Sequence, residues 1–260
     1  MWTSLRIASL GVQAQQRVID VSSNNIAHAN TLGFKKQRAE LADVAPTNTA
    51  FGLGTEPGPL VLGQAADGGG AVMSSVLTSF QLGLATPTEQ PLDVMINGVG
   101  FIPVTTKSGV PAFTRNGAFR LDANRRLSTS DGSVITPAIN VPATAKSLGI
   151  GPDGSITAIL TGDIPEAIGQ LQLTRFSNPD GLARIGGELF VATEASGGTI
   201  TGAPGQNGLG SLLPGTLEAS NVDISEELLR VIQAQRAYQM NLRSLKSADE
   251  MLQTASNLQR

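Results

Sequence analysis

The chain has no cysteine and one histidine, His28. Thiol catalysis, disulfide bridges and thiolate-bound zinc are therefore excluded, and a lone imidazole leaves no multi-histidine metal site. Aromatic residues are scarce, with one Trp (Trp2) and one Tyr (Tyr238), so platforms for stacking bases are not expected. Charge of either sign is low: 18 Lys and Arg stand against 21 Asp and Glu, a formal net charge of −3. No stretch is strongly basic, so no nucleic-acid partner is expected. Long apolar runs are missing too. No window approaches the roughly 18 apolar residues that a membrane-spanning helix needs, so membrane insertion is not expected. Ser9, Gln13, Gln15, Gln16 and Arg17 interrupt the N-terminus, which does not read as a cleaved export leader.

Glycine and proline are present in quantity, 30 and 14 residues, but unevenly placed. The first thirty residues hold no Pro and one Gly, and neither occurs after Gly215. In the first stretch Leu5, Ala8, Val12, Ile19, Ile26 and Ala29 recur at alternating spacings of three and four, with Gln15 and Ser22 at the remaining positions. That pattern predicts a helix of about 25 residues with a narrow apolar seam, ending around Asn30–Gly33. Near the C-terminus Asp223 is a good N-cap, with Glu226 three residues on. Leu228, Val231, Tyr238, Leu242, Leu245, Leu252 and Ala255, with Gln235 among them, predict a second seamed helix of about 30 residues.

Between these ends, short apolar runs alternate with turn signals such as Asn97-Gly98, Asn116-Gly117, Asp131-Gly132 and Asp153-Gly154. Strands are expected at 93–96, 101–105, 118–121, 155–160, 171–176 and 189–193. The fold class expected is α+β, with long N- and C-terminal helices paired like a coiled coil and an antiparallel all-β domain inserted between them. Its parts are an N-terminal helix and turn (1–42), a Gly/Pro-rich connector (43–90), the β-domain (91–215) and a C-terminal helix (216–260). A thin seam on each helix leaves apolar edge that one neighbour does not cover, so copies of the same chain are the expected partners. The expected packing residues are Leu5, Val12, Ile19, Ile26, Leu228, Val231, Leu242, Leu245 and Leu252, with Asn24, Asn25, Gln235 and Tyr238 adding polar register.

Four motifs carry a family resemblance. Ser23-Asn24-Asn25-Ile26-Ala27-His28-Ala29-Asn30-Thr31-Leu32-Gly33-Phe34-Lys35 resembles the N-terminal signature of flagellar axial proteins, the rod and hook family. Leu217-Glu218-Ala219-Ser220-Asn221-Val222-Asp223, continuing into Gln233–Asn241, resembles the C-terminal one. Ile96–Phe101 and Phe113–Phe119 resemble the middle of the family. Length and the Glu218–Asp223 run are most similar to the distal-rod branch, with proximal-rod and hook-type subunits as alternatives. Two departures stand out: His28 takes a place the family usually gives to Asn, and Leu41–Pro46 replaces an acidic, aromatic stretch. The resemblance implies a non-enzymatic subunit of the basal-body rod, exported uncleaved through the flagellar type III channel and assembled in the periplasm. It implies a hollow shaft, with terminal helices lining the tube, that transmits torque and conducts later subunits. The implied partners are copies of itself, neighbouring rod and hook proteins and the surrounding ring proteins; no cofactor or metal is implied.

Two other classes were weighed against this. A cell-wall hydrolase would need paired carboxylates, and Asp93, Asp122, Asp163 and Glu188 form no convincing pair. A secreted binding module would use residues 91–213 alone. Gly98-Val99-Gly100 lacks the third glycine of a dinucleotide fingerprint and reads as a turn. Asp131, Asp153 and Asp180 read as turn residues, and none belongs to a calcium loop.

Overall fold

Helix α1 spans Trp2–Ala27, 26 residues with one glycine and no proline. Helix α2 spans Ile224–Leu258, 35 residues beginning directly after Asp223. The structure is a computed structural model that describes residues 2–44, 68–161 and 164–258. Its residues fall into two compact units. One comprises Met1–Ile26, Gln37–Leu77 and Ile224–Arg260; the other comprises Ala27–Lys36 and Thr78–Asp223. The chain is α+β, with a helix towards each end and a β-rich middle.

In the helical unit the two helices meet at Gly11. A Cβ placed on Gly11 would lie 2.7 Å from Asn241 Nδ2, so α1 and α2 touch at that point. Among the described residues, the buried side chains of α1 are Ala8, Ala14, Ser22 and Asn25, and the buried alanines of α2 are Ala234 and Ala248. Gln37–Asp43 pairs with Ala71–Thr78 in a two-stranded sheet, closed by a hydrogen bond from Val44 N–H to Gly70 O. Part of the expected connector 43–90 is therefore strand. Its stretch 45–67 lies outside the described residues.

The β-unit has a conventional apolar core. A seven-stranded antiparallel sheet runs in the order Ala183–Gly186, Leu189–Val191, Pro111–Thr114, Ile102–Thr105, Val134–Ile135, Leu127–Thr129 and Phe119–Leu121. A three-stranded antiparallel sheet, Ala145–Ile150, Ser155–Leu160 and Pro165–Gln170, lies beside it in the same unit. Ile96, Ile102, Leu127, Ile135, Ile156, Leu171 and Leu173 are fully enclosed in one cluster, while Phe101, Phe176 and Phe190 form a second. Five phenylalanines, including Phe80 and Phe113, meet edge to face, the arrangement that ring quadrupoles favour. The strands at 94–97, 102–105, 119–121, 155–160, 173–176 and 189–191 fall within or one residue from the stretches expected. The unit also begins earlier than expected. Ala85–Pro87 pairs with Thr216–Glu218, because backbone pairing needs no particular side chain.

Candidate functional site

Within the β-unit the N-terminal, middle and C-terminal motifs meet at one buried cluster of charge. Glu218 is the last residue of the strand Thr216–Glu218, in which it and Leu217 are both buried. Its Oε1 accepts from Lys35 Nζ at 2.5 Å and from Gly83 N–H at 2.9 Å; its Oε2 accepts from Arg115 Nε at 3.1 Å. Lys35 also donates to Gln81 O at 2.7 Å. Arg115 spends its remaining donors on backbone: Nη1 on Gly100 O, and Nη2 on Ile96 O and Gly98 O. The Gly98–Gly100 turn thus presents carbonyls to a cation, the opposite polarity to a phosphate-binding loop. All three charged side chains are almost wholly enclosed.

One carboxylate cannot neutralise two cations, and the titration reflects it. Burial, then the nearby Arg115, lower the Lys35 ammonium from 10.5 to about 8, against the pull of Glu218. Burial alone would raise the Glu218 carboxyl. Arg115 and Lys35 outweigh that and hold it below the ordinary value. The arrangement ties three segments of the chain together, since every donor named has an acceptor inside the chain.

Asparagines fasten the same segments. Asn221 donates through Nδ2 to Ser79 O and Gln81 O and accepts from Lys36 N–H at 2.7 Å. In the helical unit, fully buried Asn25 donates to Gln37 O at 2.7 Å and accepts from Gln37 N–H at 2.9 Å. Asn25, expected to give polar register between copies, is therefore engaged inside its own chain, whereas Asn24 is exposed. His28 lies just past α1 in the other unit, its Nδ1 3.1 Å from Thr31 Oγ1. Its ring stacks on buried Phe34 at 4.6 Å, and the Arg184 guanidinium lies over the same ring at 4.4 Å. Gly33 closes this turn at φ +70, and a Cβ there would meet the Asn116 backbone at 3.0 Å. Both facts require glycine.

The predicted seams match the buried faces in part: Ala8 and Ser22 lie on the α1 seam and are buried, whereas buried Ala14, Asn25, Glu227 and Ala234 each lie one position before a seam place. Leu5, Val12, Ile19 and Ile26 on α1, and Val231, Tyr238, Leu245 and Leu252 on α2, are half-buried. Leu228, Gln235 and Leu242 are exposed. The innermost places go to small or polar residues, a signal that apolar spacing does not carry.

The carboxylates weighed for hydrolysis have other tasks. Asp93 accepts from Thr88 Oγ1, and Asp122 holds its turn through Asn124 N–H and Arg126. Burial raises the Glu188 carboxyl, opposed by Arg184 and His28. Asp163 lies outside the described residues. Asp131 and Asp153 accept hydrogen bonds from Thr129, Ser133 and Ser155 in their turns, and Asp180 sits in a short 3₁₀ turn. Among the described residues no three His, Cys, Asp or Glu cluster with metal-binding geometry. No described helix is long and apolar enough to cross a membrane.

The motifs that meet here are shared with known proteins. Residues 5–35 match the family model described as flagella basal body rod protein. Residues 95–158 match the flagellar hook protein FlgE/F/G D1 domain, and 213–258 the flagellar basal body rod FlgEFG protein C-terminal. A flagellar basal-body rod protein FlgG from Caulobacter vibrioides is 41% identical over 258 residues, 98% of both chains. One from Buchnera aphidicola is 40% identical over 266 residues, 99% of this chain and all of that one. The flagellar hook protein FlgE of Salmonella typhimurium is 33% identical over 180 residues, 66% of this chain but 45% of its own length.

Proposed function

This chain belongs to the flagellar basal-body rod protein family, and on that premise we propose that its terminal helices are the surface through which it polymerises. It is a structural subunit of the basal body, not an enzyme, and a distal-rod subunit in preference to a hook subunit. Rod relatives run its full length, whereas the hook relative extends far beyond it. Its partners are copies of itself and neighbouring axial proteins.

The observation that carries the helical reading is α2. Ile224, Leu228, Leu229, Ile232, Met240, Leu242 and Met251 are exposed along it, while its inner face is narrow and includes Ala234 and Ala248. Exposed apolar surface of this extent is the mark of an interface. Leu5, Val12, Ile19 and Ile26 on α1, with Val231, Tyr238, Leu245 and Leu252 on α2, flank the inner seam, so a further helix can cover them and the helices pack as in a coiled coil. Contacts of this head-to-tail kind propagate a helical tube and do not close a ring. The tube crosses the periplasm inside the ring proteins, transmits torque and conducts exported subunits. The subunit itself leaves the cell interior through the flagellar type III channel without cleavage and without entering the membrane.

The test is electron microscopy of the purified full-length protein across a concentration series. Tubes of uniform diameter are expected, and Leu228→Asp with Leu242→Asp should abolish them without lowering the melting midpoint. A protein that stays monomeric at every concentration, with both helices folded, sinks the reading.

A further inference from the structure

An amphipathic helix normally turns apolar side chains inward and charges outward. The first turns of α2 reverse this order. Glu227 is 0% exposed, while its neighbours Leu228 and Leu229 are 48% and 60% exposed. Ile224 and Ile232 continue the exposed ridge at spacings of four. Neither carboxylate oxygen of Glu227 accepts a hydrogen bond among the described residues. Its counter-charge, Arg230 Nη1, stands 3.6 Å away, and the same guanidinium donates through Nη2 to Glu226 at 2.6 Å. Two carboxylates share one cation, and the more exposed of them holds it more closely.

Both halves of this arrangement are unfavourable for a chain on its own. A buried carboxylate without donors loses its hydration and gains little in return, and leucines in water forgo the hydrophobic gain of burial. A rotation of about 100° about the helix axis, one residue's worth, would move Leu228 towards the place of Glu227 and release the carboxylate. The setting observed is favoured only when something covers the ridge.

We propose that Glu227 acts as a brake. It keeps the first turns of α2 from settling firmly in the single subunit until a second copy of this chain covers the Ile224–Ile232 ridge. The identity of that partner rests on the polymer reading above; the strain on Glu227 does not. Local sequence and tertiary setting conflict here, and the conflict is resolved by assembly.

The test uses the full chain with Glu227→Met, Glu227→Gln and Leu229→Gln. Helix melting is followed by far-ultraviolet circular dichroism, and polymer by sedimentation. Methionine keeps the length of the side chain and removes the stranded charge. Its melting midpoint should rise by about 3 °C or more, exceeding that of the glutamine variant. It should also polymerise at a concentration several-fold lower than the parent. Leu229→Gln should leave the midpoint in place and raise that concentration. A midpoint for Glu227→Met at or below the parent's overturns the brake. Absence of polymer from every variant overturns the identity of the partner, while the midpoint still decides the role of Glu227.

Discussion

The β-unit and the helical unit belong to one chain and are buried by opposite rules. The β-unit encloses Ile, Leu, Val and Phe in two clusters and meets its buried charges with bonded partners. The helical unit encloses Ala8, Ala14, Ala234 and Ala248 with Ser22, Asn25 and Glu227, and leaves Leu228, Leu229 and Met240 in water. Burial of large apolar side chains is the main favourable term in folding. The first unit therefore stabilises itself, while the second leaves large apolar side chains exposed.

The largest test of that contrast is Glu218→Ala. It leaves Lys35 and Arg115 as buried like charges, and about 3–5 kcal/mol of stability should be lost in denaturant melts. A silent substitution would mean that the β-unit is not closed by its charge cluster. Next in size is a pH effect with two limbs. Glu218 has a folded value below its ordinary one, so its contribution is present above that ordinary value and is lost as pH falls through the folded value. Lys35 is lowered from 10.5 to about 8, so between those values the unfolded chain holds a proton that the folded chain has released. Stability should rise across that window, by up to about 3 kcal/mol, and Lys35→Met should flatten the rise.

Asn25→Ala probes the helical unit. It strands the N–H and C=O of Gln37 and should cost about 1–3 kcal/mol, seen as earlier loss of helix signal. Smallest is Leu242→Ser, which should move the melting midpoint by the equivalent of about 0.5 kcal/mol or less while weakening polymer in sedimentation. A large loss of monomer stability from that exposed site would erase the distinction between the two units.

Where side chains obey a simple period, the primary structure was readable. Ser155–Leu160 alternates and is a strand at those bounds, and Asp223 marks the residue before α2. The helices were legible as helices, yet their inner faces were not. Apolar spacing points to Leu5 and Leu228, but the buried places go to Ala14 and Ala234. The buried charge cluster was visible only as three motifs. Lys35, Arg115 and Glu218 lie 80 and 103 residues apart along the chain, and nothing local says that three charges share one place. A faint signal existed: each charge follows a large apolar or β-forming neighbour, Phe34, Thr114 and Leu217.

Asn221, Lys35 and Glu218 have a mechanical consequence. Dispersion contacts have no preferred direction, so two apolar faces can slide past each other at little cost in energy. Hydrogen bonds fail when donor and acceptor slip by about an ångström. Segments 34–36 and 216–221 are held to the stretch 79–83 by such bonds at several angles, including Lys35 to Gln81, Asn221 to Ser79 and Glu218 to Gly83. Shear applied through either end of the chain is therefore resisted at these rivets, where grease alone would creep.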